Sequence, residues 1–121
     1  MSDYRKLRIW QRARALTIRV HHLVSKLPRV EQYRRGDQII RSANSIRNNI
    51  VEGSGLGTPA QFAKHLRSSV GSANELEDQL RELDDVNLLP SEDRDLIDES
   101  SEVAAMIVEF RKRVVRNGKR K

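Results

Sequence analysis

Apolar side chains recur along this chain at alternating intervals of three and four residues, which places them on one face of an α-helix. The third such segment has the longest seam, which runs from Phe62 to Leu83 in a heptad pattern. No stretch shows the alternation of apolar and polar residues that indicates a β-strand. Four helices are therefore predicted, at about residues 4–27, 31–52, 59–87 and 92–116.

Residues that end or begin helices separate the first three segments. Pro28 ends the first helix, because proline cannot continue the hydrogen-bond ladder. Thr58 and Gln61 form a capping box around Pro59, which suits the first helical position. The glycine-rich residues 53–57 end the second helix and are interpreted as a hinge. A nucleotide site is disfavoured there, since the Gly-Lys-Ser/Thr ending of a phosphate-binding loop is missing.

The fourth helix has start and stop signals of its own. Ser91 can cap its first turn, and Asn117-Gly118 predicts its end. Residues 119–121 then form a basic tail beyond a single domain of residues 4–118. Because short connections join antiparallel neighbours, the predicted fold is all-α, an up-down-up-down antiparallel four-helix bundle.

Charge is strongly segregated along the sequence, although the net charge is only +6. Residues 1–41 carry 11 basic and 3 acidic side chains, and residues 71–110 carry 2 and 13. Residues 111–121 carry 7 basic side chains and no acidic one. The basic and acidic segments could pair with each other, or a basic face could contact a polyanion. Both interpretations stay open at the level of sequence.

Few side chains suit catalysis or metal binding. Cysteine is absent and only three histidines occur, so a zinc site would need mostly carboxylates. The weak candidates for acid–base chemistry, Glu52, Glu75, Asp78 and His65, show no nucleophile–base or metal-ligand spacing. We expect a non-enzymatic protein without metal or cofactor. Because no apolar run approaches about 20 residues and no signal peptide is recognisable, a cytoplasmic location without membrane contact is expected.

A basic ribbon is predicted along the first helix. Its side chains recur every seven residues beside the core stripe, and one further arginine lies on the same strip. The ribbon could bind the phosphates of RNA or DNA with an affinity that falls steeply with salt. Alternatively, it pairs with the acidic third and fourth helices or is simply solvated. The ribbon consists of Arg5, Arg12, Arg19 and Lys26, with Arg8 beside them.

A second basic cluster lies near the C-terminus and could bind the same anionic partner. Its other interpretation is solubility, together with the favourable placement of cations at the end of a helix. Aromatic residues are few, so we expect contact with the nucleic-acid backbone or its shape and not the stacking of bases. The candidate residues of this cluster are Arg111, Lys112, Arg113 and Arg116.

Further apolar residues lie outside the core stripes of two helices. A second apolar surface on a small bundle usually packs against another copy or a partner, so homo-oligomerisation is expected. These residues are Ile97, Ala104, Val108 and Val115 on the fourth helix and Ile40 and Val51 on the second.

Two motifs connect the sequence to a known family. Asn-Ile-x-Glu-Gly lies within residues 45–53, and Gly-Ser-x-x-Glu-Leu-Glu occupies residues 71–77. Over roughly residues 5–115 the chain resembles the four-helix-bundle proteins encoded by intervening sequences within bacterial 23S ribosomal RNA genes. The accessory proteins of diversity-generating retroelements form a related branch, which this sequence fits less well.

The resemblance implies a cyclic homo-oligomer, commonly a pentamer, with no established enzymatic activity and with ribosomal RNA as the partner. It also implies that the motif residues form a polar network between helices and close backbone contacts. A ligand site shared within the oligomer is the alternative role. The motif residues are Asn49, Glu52, Gly53, Gly71, Ser72 and Glu75.

Two hypotheses of function follow from these observations. In the first, a homo-oligomeric bundle binds the RNA or DNA backbone electrostatically through the ribbon and the C-terminal cluster. In the second, an oligomeric scaffold recruits another protein, such as a reverse transcriptase, and the basic faces serve internal pairing.

Overall fold

The computed structural model of the protein describes residues 3–119, and four long helices account for most of them. The second helix is continuous, with a π-helical turn at Gln32–Gly36 between its α-helical parts. Short 3₁₀ turns precede the first and fourth helices, at Tyr4–Lys6 and Ser91–Asp93. The long helices are α1 (Arg8–Ser25), α2 (Arg29–Glu31, the π-helical turn and Asp37–Ser54), α3 (Pro59–Asp85) and α4 (Asp95–Lys119).

Each helix packs against its neighbours in sequence, and α4 returns to α1, which closes an all-helical, antiparallel four-helix bundle. The predicted stripes form its core, where each fully buried aliphatic side chain contributes roughly 1.5–3 kcal/mol. The four helices each supply fully buried members to this core, for example Leu16, Ile46, Leu76 and Ile107. The fold class predicted from the apolar spacing is confirmed.

The first helix starts later than its apolar pattern predicts. Leu7 is extended, with φ −76° and ψ 128°, so a 3₁₀ turn precedes the α-helix that begins at Arg8. The side chain of Asp3 accepts a hydrogen bond from the backbone N–H of Arg5 and caps this turn. At the other end α1 stops at Ser25, two residues before the predicted end.

The capping box predicted at the start of α3 is present. The hydroxyl of Thr58 accepts a hydrogen bond from the backbone N–H of Gln61 at 3.2 Å, and Pro59 is the first helical residue. The helix ends at Asp85 because Asn87 adopts a left-handed conformation with φ 61°. The N–H of Leu88 then donates to the carbonyl of Leu83 at 2.8 Å, the pattern of a Schellman motif.

The start and stop signals predicted for the fourth helix are both wrong. Ser91 opens a 3₁₀ turn without a side-chain cap, and α4 begins only at Asp95. At its other end the helix continues through Gly118 to Lys119. A Cβ at Gly118 would lie 2.9 Å from Cβ of Pro59, so the glycine allows the end of α4 to pack closely against the start of α3. Of the predicted basic tail, residues 120 and 121 lie outside the described residues.

Three of the six residues of the predicted second apolar surface are part of the core or pack against it. Ala104 is a core residue, while Ile40 and Ile97 are partly buried against the core. Val108 remains 37% exposed. On α4, Ile97 and Ala104 therefore pack within the bundle, whereas Val108 and Val115 are not part of its core. Within residues 3–119, no helix has the length and apolarity needed to cross a membrane.

Candidate nucleic-acid interface

The seam between α1 and α4 contains the basic ribbon predicted from sequence. Arg12 binds Glu99 through two parallel hydrogen bonds, from Nε at 3.0 Å and from Nη2 at 2.8 Å. Its Nη2 also lies 3.2 Å from a carboxylate oxygen of Glu102. A two-pronged arginine–carboxylate contact of this kind fixes the orientation of both side chains.

Arg19 and Lys26 continue the same pattern toward the start of α4. Arg19 forms a two-pronged contact with Asp95, and its hydrogen bonds lower the pKa of that carboxyl. Nζ of Lys26 donates to Asp93 at 2.5 Å, and the pKa of Lys26 is raised chiefly by this bond. The Asp93 side chain is only 9% exposed, so its charge is compensated almost entirely by protein groups. Lys26 also reaches Glu92 at 3.4 Å.

These contacts distinguish between the two interpretations of the ribbon. Arg12, Arg19 and Lys26 pair with the acidic start of α4, which is the internal role considered as the alternative to phosphate binding. Arg5 also has a partner, because it donates to Asp3 at 2.9 Å, although 69% of its side chain remains exposed. Arg8 is exposed, and within residues 3–119 no carboxylate lies within ion-pair distance of it.

Beyond Arg12, the seam between α1 and α4 opens into a groove of about 680 Å³. Basic side chains from both helices line it, and Glu109 is the single acidic residue that residues 3–119 contribute to its lining. Its lining cations on the α1 side are Lys6, Arg8 and Arg12, and Arg113 faces them from α4. The groove therefore has an excess of positive charge that the described part of the chain does not compensate.

The predicted C-terminal cluster separates into bound and available cations. Arg111 donates from Nε to the carbonyl of Ala63 at 2.8 Å, which ties α4 to α3. Lys112 contacts Glu109 at 3.1 Å. The guanidinium of Arg113 lies 5.4 Å from the ring centroid of Phe110, and no carboxylate of residues 3–119 lies within ion-pair distance of it.

Arg116 is the second available cation of this cluster. It is exposed one turn beyond Arg113, and the described residues offer it no carboxylate within ion-pair distance. Arg8, Arg113 and Arg116 thus lie at the same end of the bundle, where α1 starts and α4 ends. We call these three residues the open-end arginines.

The family motifs line the contact between α2 and α3 with polar side chains. Ser72 donates to the hydroxyl of Ser45 at 2.8 Å, and Nδ2 of Asn49 donates to the carbonyl of Ser45 at 2.9 Å. Nδ1 of His65 and Oδ1 of Asn49 are 3.1 Å apart. Sequence reasoning gave Ser45 no role of its own and considered His65 only as a weak acid–base candidate, yet both complete the hydrogen bonds of motif residues.

A further link in this polar contact joins Ser42 to a motif residue, since its hydroxyl donates to Glu75 at 2.9 Å. Glu52, by contrast, is exposed. In the described part of the chain no group of three His, Cys, Asp or Glu side chains could hold a metal ion. The geometry here is that of a connector between helices.

The two motif glycines differ in their surroundings. A Cβ at Gly53 would lie 2.7 Å from Cβ of His65, so this glycine permits the close contact between α2 and α3. A Cβ at Gly71 would meet no atom within 4 Å, and Gly71 is exposed. The close backbone contact expected at Gly71 is therefore not made within a single chain.

Comparisons with known proteins bear on the origin of these motifs. A family model described as 23S rRNA-intervening sequence protein matches residues 5–109. A solved structure that this chain resembles is a protein of unknown function of the S23 ribosomal protein family from Bacteroides thetaiotaomicron VPI-5482. The two chains are 23% identical and superpose with a TM-score of 0.79, over 86% of this chain and 98% of the other. A search of curated proteins finds no match.

Proposed function

This chain belongs to the 23S rRNA-intervening sequence protein family, and we propose that it is a cytoplasmic, non-enzymatic, homo-oligomeric bundle that binds RNA through the basic end of each chain. Ribosomal RNA is the proposed partner, in keeping with the description of the family. The binding is electrostatic and directed to phosphates, because arginine forks match phosphate oxygens in geometry and charge.

One observation supports this proposal above the others: the basic side chains are compensated at one end of the α1–α4 seam and uncompensated at the other. Cations that already contact carboxylates gain little from a phosphate, since binding would require the internal pair to break. The open-end arginines have no such pair in the described residues. They can therefore contribute their full charge to a polyanion, whose condensed counterions are released on binding.

Binding of a labelled RNA hairpin and of a matched DNA duplex tests the proposal, with fluorescence anisotropy at low salt as the measurement. The test variant replaces the open-end arginines by glutamine (Arg8→Gln, Arg113→Gln, Arg116→Gln). We expect the triple variant to bind RNA at least about tenfold more weakly, the loss of a few phosphate contacts.

The matched control removes the same charge at the opposite end of the bundle, by Arg29→Gln, Arg34→Gln and Arg94→Gln. These residues are exposed and have at most surface ion pairs, whose loss costs little stability. The control should keep the wild-type affinity within about twofold, because net charge alone acts weakly at a distance. Equal weakening of both variants would contradict a localised interface.

The homo-oligomeric part of the proposal is supported by Gly71. Glycine inside a helix costs about 1 kcal/mol relative to alanine, and nothing among residues 3–119 requires it at this exposed position of the 27-residue α3. A helix of a second copy could pack closely over this position only if the residue there has no side chain, as is the case with Gly71. The resemblance implies a cyclic assembly, commonly of five copies.

The mass of the assembly, measured by light scattering after size-exclusion chromatography, tests this part. We expect wild-type protein to be a stable oligomer and Gly71→Leu to reduce its mass, while helicity is retained because leucine is a good helix former. Ala15→Leu, at an exposed position of α1, is the control and should leave the mass unchanged. A monomeric wild-type protein would contradict the homo-oligomeric proposal.

A further inference from the structure

The groove at the open end has an apolar floor beneath its basic rim. Met106 and Phe110 of α4 line it from one side and Leu7 from the other, and all three are partly buried. Arg12, held by Glu99, donates to Sδ of Met106 at 3.4 Å and closes the groove toward the ion-paired half. The groove is thus an apolar slot with one blocked end.

Two stacked side chains shape the α4 wall of this slot. Phe110 packs edge-on against Phe62, with ring centroids 5.8 Å apart, so its ring is held in place from behind. Arg113 lies over the ring of Phe110 at 5.4 Å. A guanidinium supported in this way offers a flat, charged surface on which a nucleobase can stack. The scarcity of aromatic residues in the sequence had argued against base contacts, but a single phenylalanine with a stacked arginine provides one such surface.

The chemistry of the slot limits its occupant. A phosphate alone would gain nothing from the apolar floor, and a purely apolar ligand would leave the cations of the rim without partners. An unpaired nucleotide suits both the floor and the rim, because the flat face of its base can stack against the floor and its flanking phosphates reach basic side chains. In a duplex the bases are paired and stacked internally, so their faces cannot enter the slot.

We propose that the groove between the start of α1 and the end of α4 binds an unpaired nucleotide, so that the protein prefers single-stranded or looped RNA to a perfect duplex. This inference rests on the proposed function, since it assigns a base subsite to the same basic end. Arg8 and Arg113 hold the phosphates on either side, and the base lies against the Arg113–Phe110 stack.

The test variant fills the slot without changing charge or removing a core contact. Ala105 is exposed and lines the groove, so Ala105→Gln places a larger neutral side chain inside it while retaining good helix propensity. Ala15→Gln makes the same change at an exposed position of α1 that is not part of the groove lining, and it is the matched control. The probes are a labelled 12-nucleotide single-stranded RNA, on the scale of one binding site, and a blunt RNA duplex with the same number of phosphates.

We expect wild-type protein to bind the single strand roughly tenfold more tightly than the duplex, the equivalent of one stacked base. Ala105→Gln should remove this preference and leave duplex binding unchanged, whereas Ala15→Gln should retain it. Equal wild-type affinity for the two probes, or an unaltered preference in Ala105→Gln, would overturn the base subsite and leave the proposed phosphate contacts standing. Absence of binding to either probe at low salt would overturn both proposals.

A protein partner is the competing occupant of an apolar groove with a basic rim. An amphipathic helical peptide of leucine and glutamate residues is the probe for this case. If it binds the wild-type groove more tightly than the single-stranded RNA, and Ala105→Gln abolishes that binding, the groove is a peptide site and the nucleotide proposal is wrong.

Discussion

The two halves of the α1–α4 seam use the same residue types for different purposes. In the half that contains the start of α4, Arg12 and Arg19 meet carboxylates of that helix, and Lys26 meets a carboxylate of the 3₁₀ turn before it. In the half that contains the start of α1, Arg8 and Arg113 face a shared groove in which Glu109 is the only acidic side chain among the described residues. One half holds two helices together, and the other presents charge to solvent.

This difference shows that the role of a basic residue on a helix depends on the helix opposite it. The ribbon is regular along α1, but α4 is acidic only over its first two-thirds and basic over its last turns. Because α1 and α4 are antiparallel, the basic end of α4 lies beside the start of α1. The antiparallel arrangement therefore concentrates like charge at one end of the bundle.

The largest expected effect is a difference in stability between the same substitution, arginine to glutamate, made in each half of the seam. Arg12→Glu would place a third carboxylate beside Glu99 and Glu102 and remove their shared partner, so we expect it to lower the free energy of unfolding by about 2 kcal/mol. Arg8→Glu loses no ion pair within the described residues and should leave the urea midpoint almost unchanged. Equal destabilisation by both substitutions, measured by urea unfolding, would contradict the division of the seam.

A smaller loss of folding stability is expected when the pH is lowered. Hydrogen bonds from Arg19 lower the pKa of Asp95 below its ordinary value of 3.8. The stability that this pair contributes is therefore fully present above about pH 4 and is lost as the pH falls through the lowered pKa of the folded state. The same direction holds for Glu92, whose pKa is lowered by a backbone hydrogen bond and then by Lys26.

Urea unfolding of wild type and Arg19→Gln between about pH 5 and about pH 2 isolates this contribution. The variant lacks the pair at every pH, so its stability should fall less steeply with acid than that of wild type. Parallel curves would show that the Arg19–Asp95 contact contributes nothing to stability.

Helix number, core stripes and the cap of α3 could be predicted from the sequence, because each depends on residues close together in the chain. Leu66 and Leu76 are both buried, as their spacing predicts, because it places them on the same face of a helix. The end of α4 could not be predicted, since Gly118 lies where the helix closely approaches Pro59, a residue far away in sequence.

The candidate site was predictable only in its composition. The heptad spacing identified the cations of α1, but which of them are paired depends on the register of α4 against α1. The apolar floor was missed because Met106 and Phe110 fit a core pattern equally well. Gly71 was expected to make a close contact within the chain, and its exposure appears only when the surrounding helices are in place.

The most direct test of the central claim is the salt dependence of RNA affinity for wild type, the triple open-end variant and the triple control at the opposite end. If each open-end arginine neutralises one phosphate, the slope of log affinity against log salt should be shallower by about 2 in the open-end variant, at roughly 0.7 per contact with a single strand. The control should keep the wild-type slope. An open-end variant that retains the wild-type slope would contradict the claim that this end of the bundle is the phosphate-binding surface.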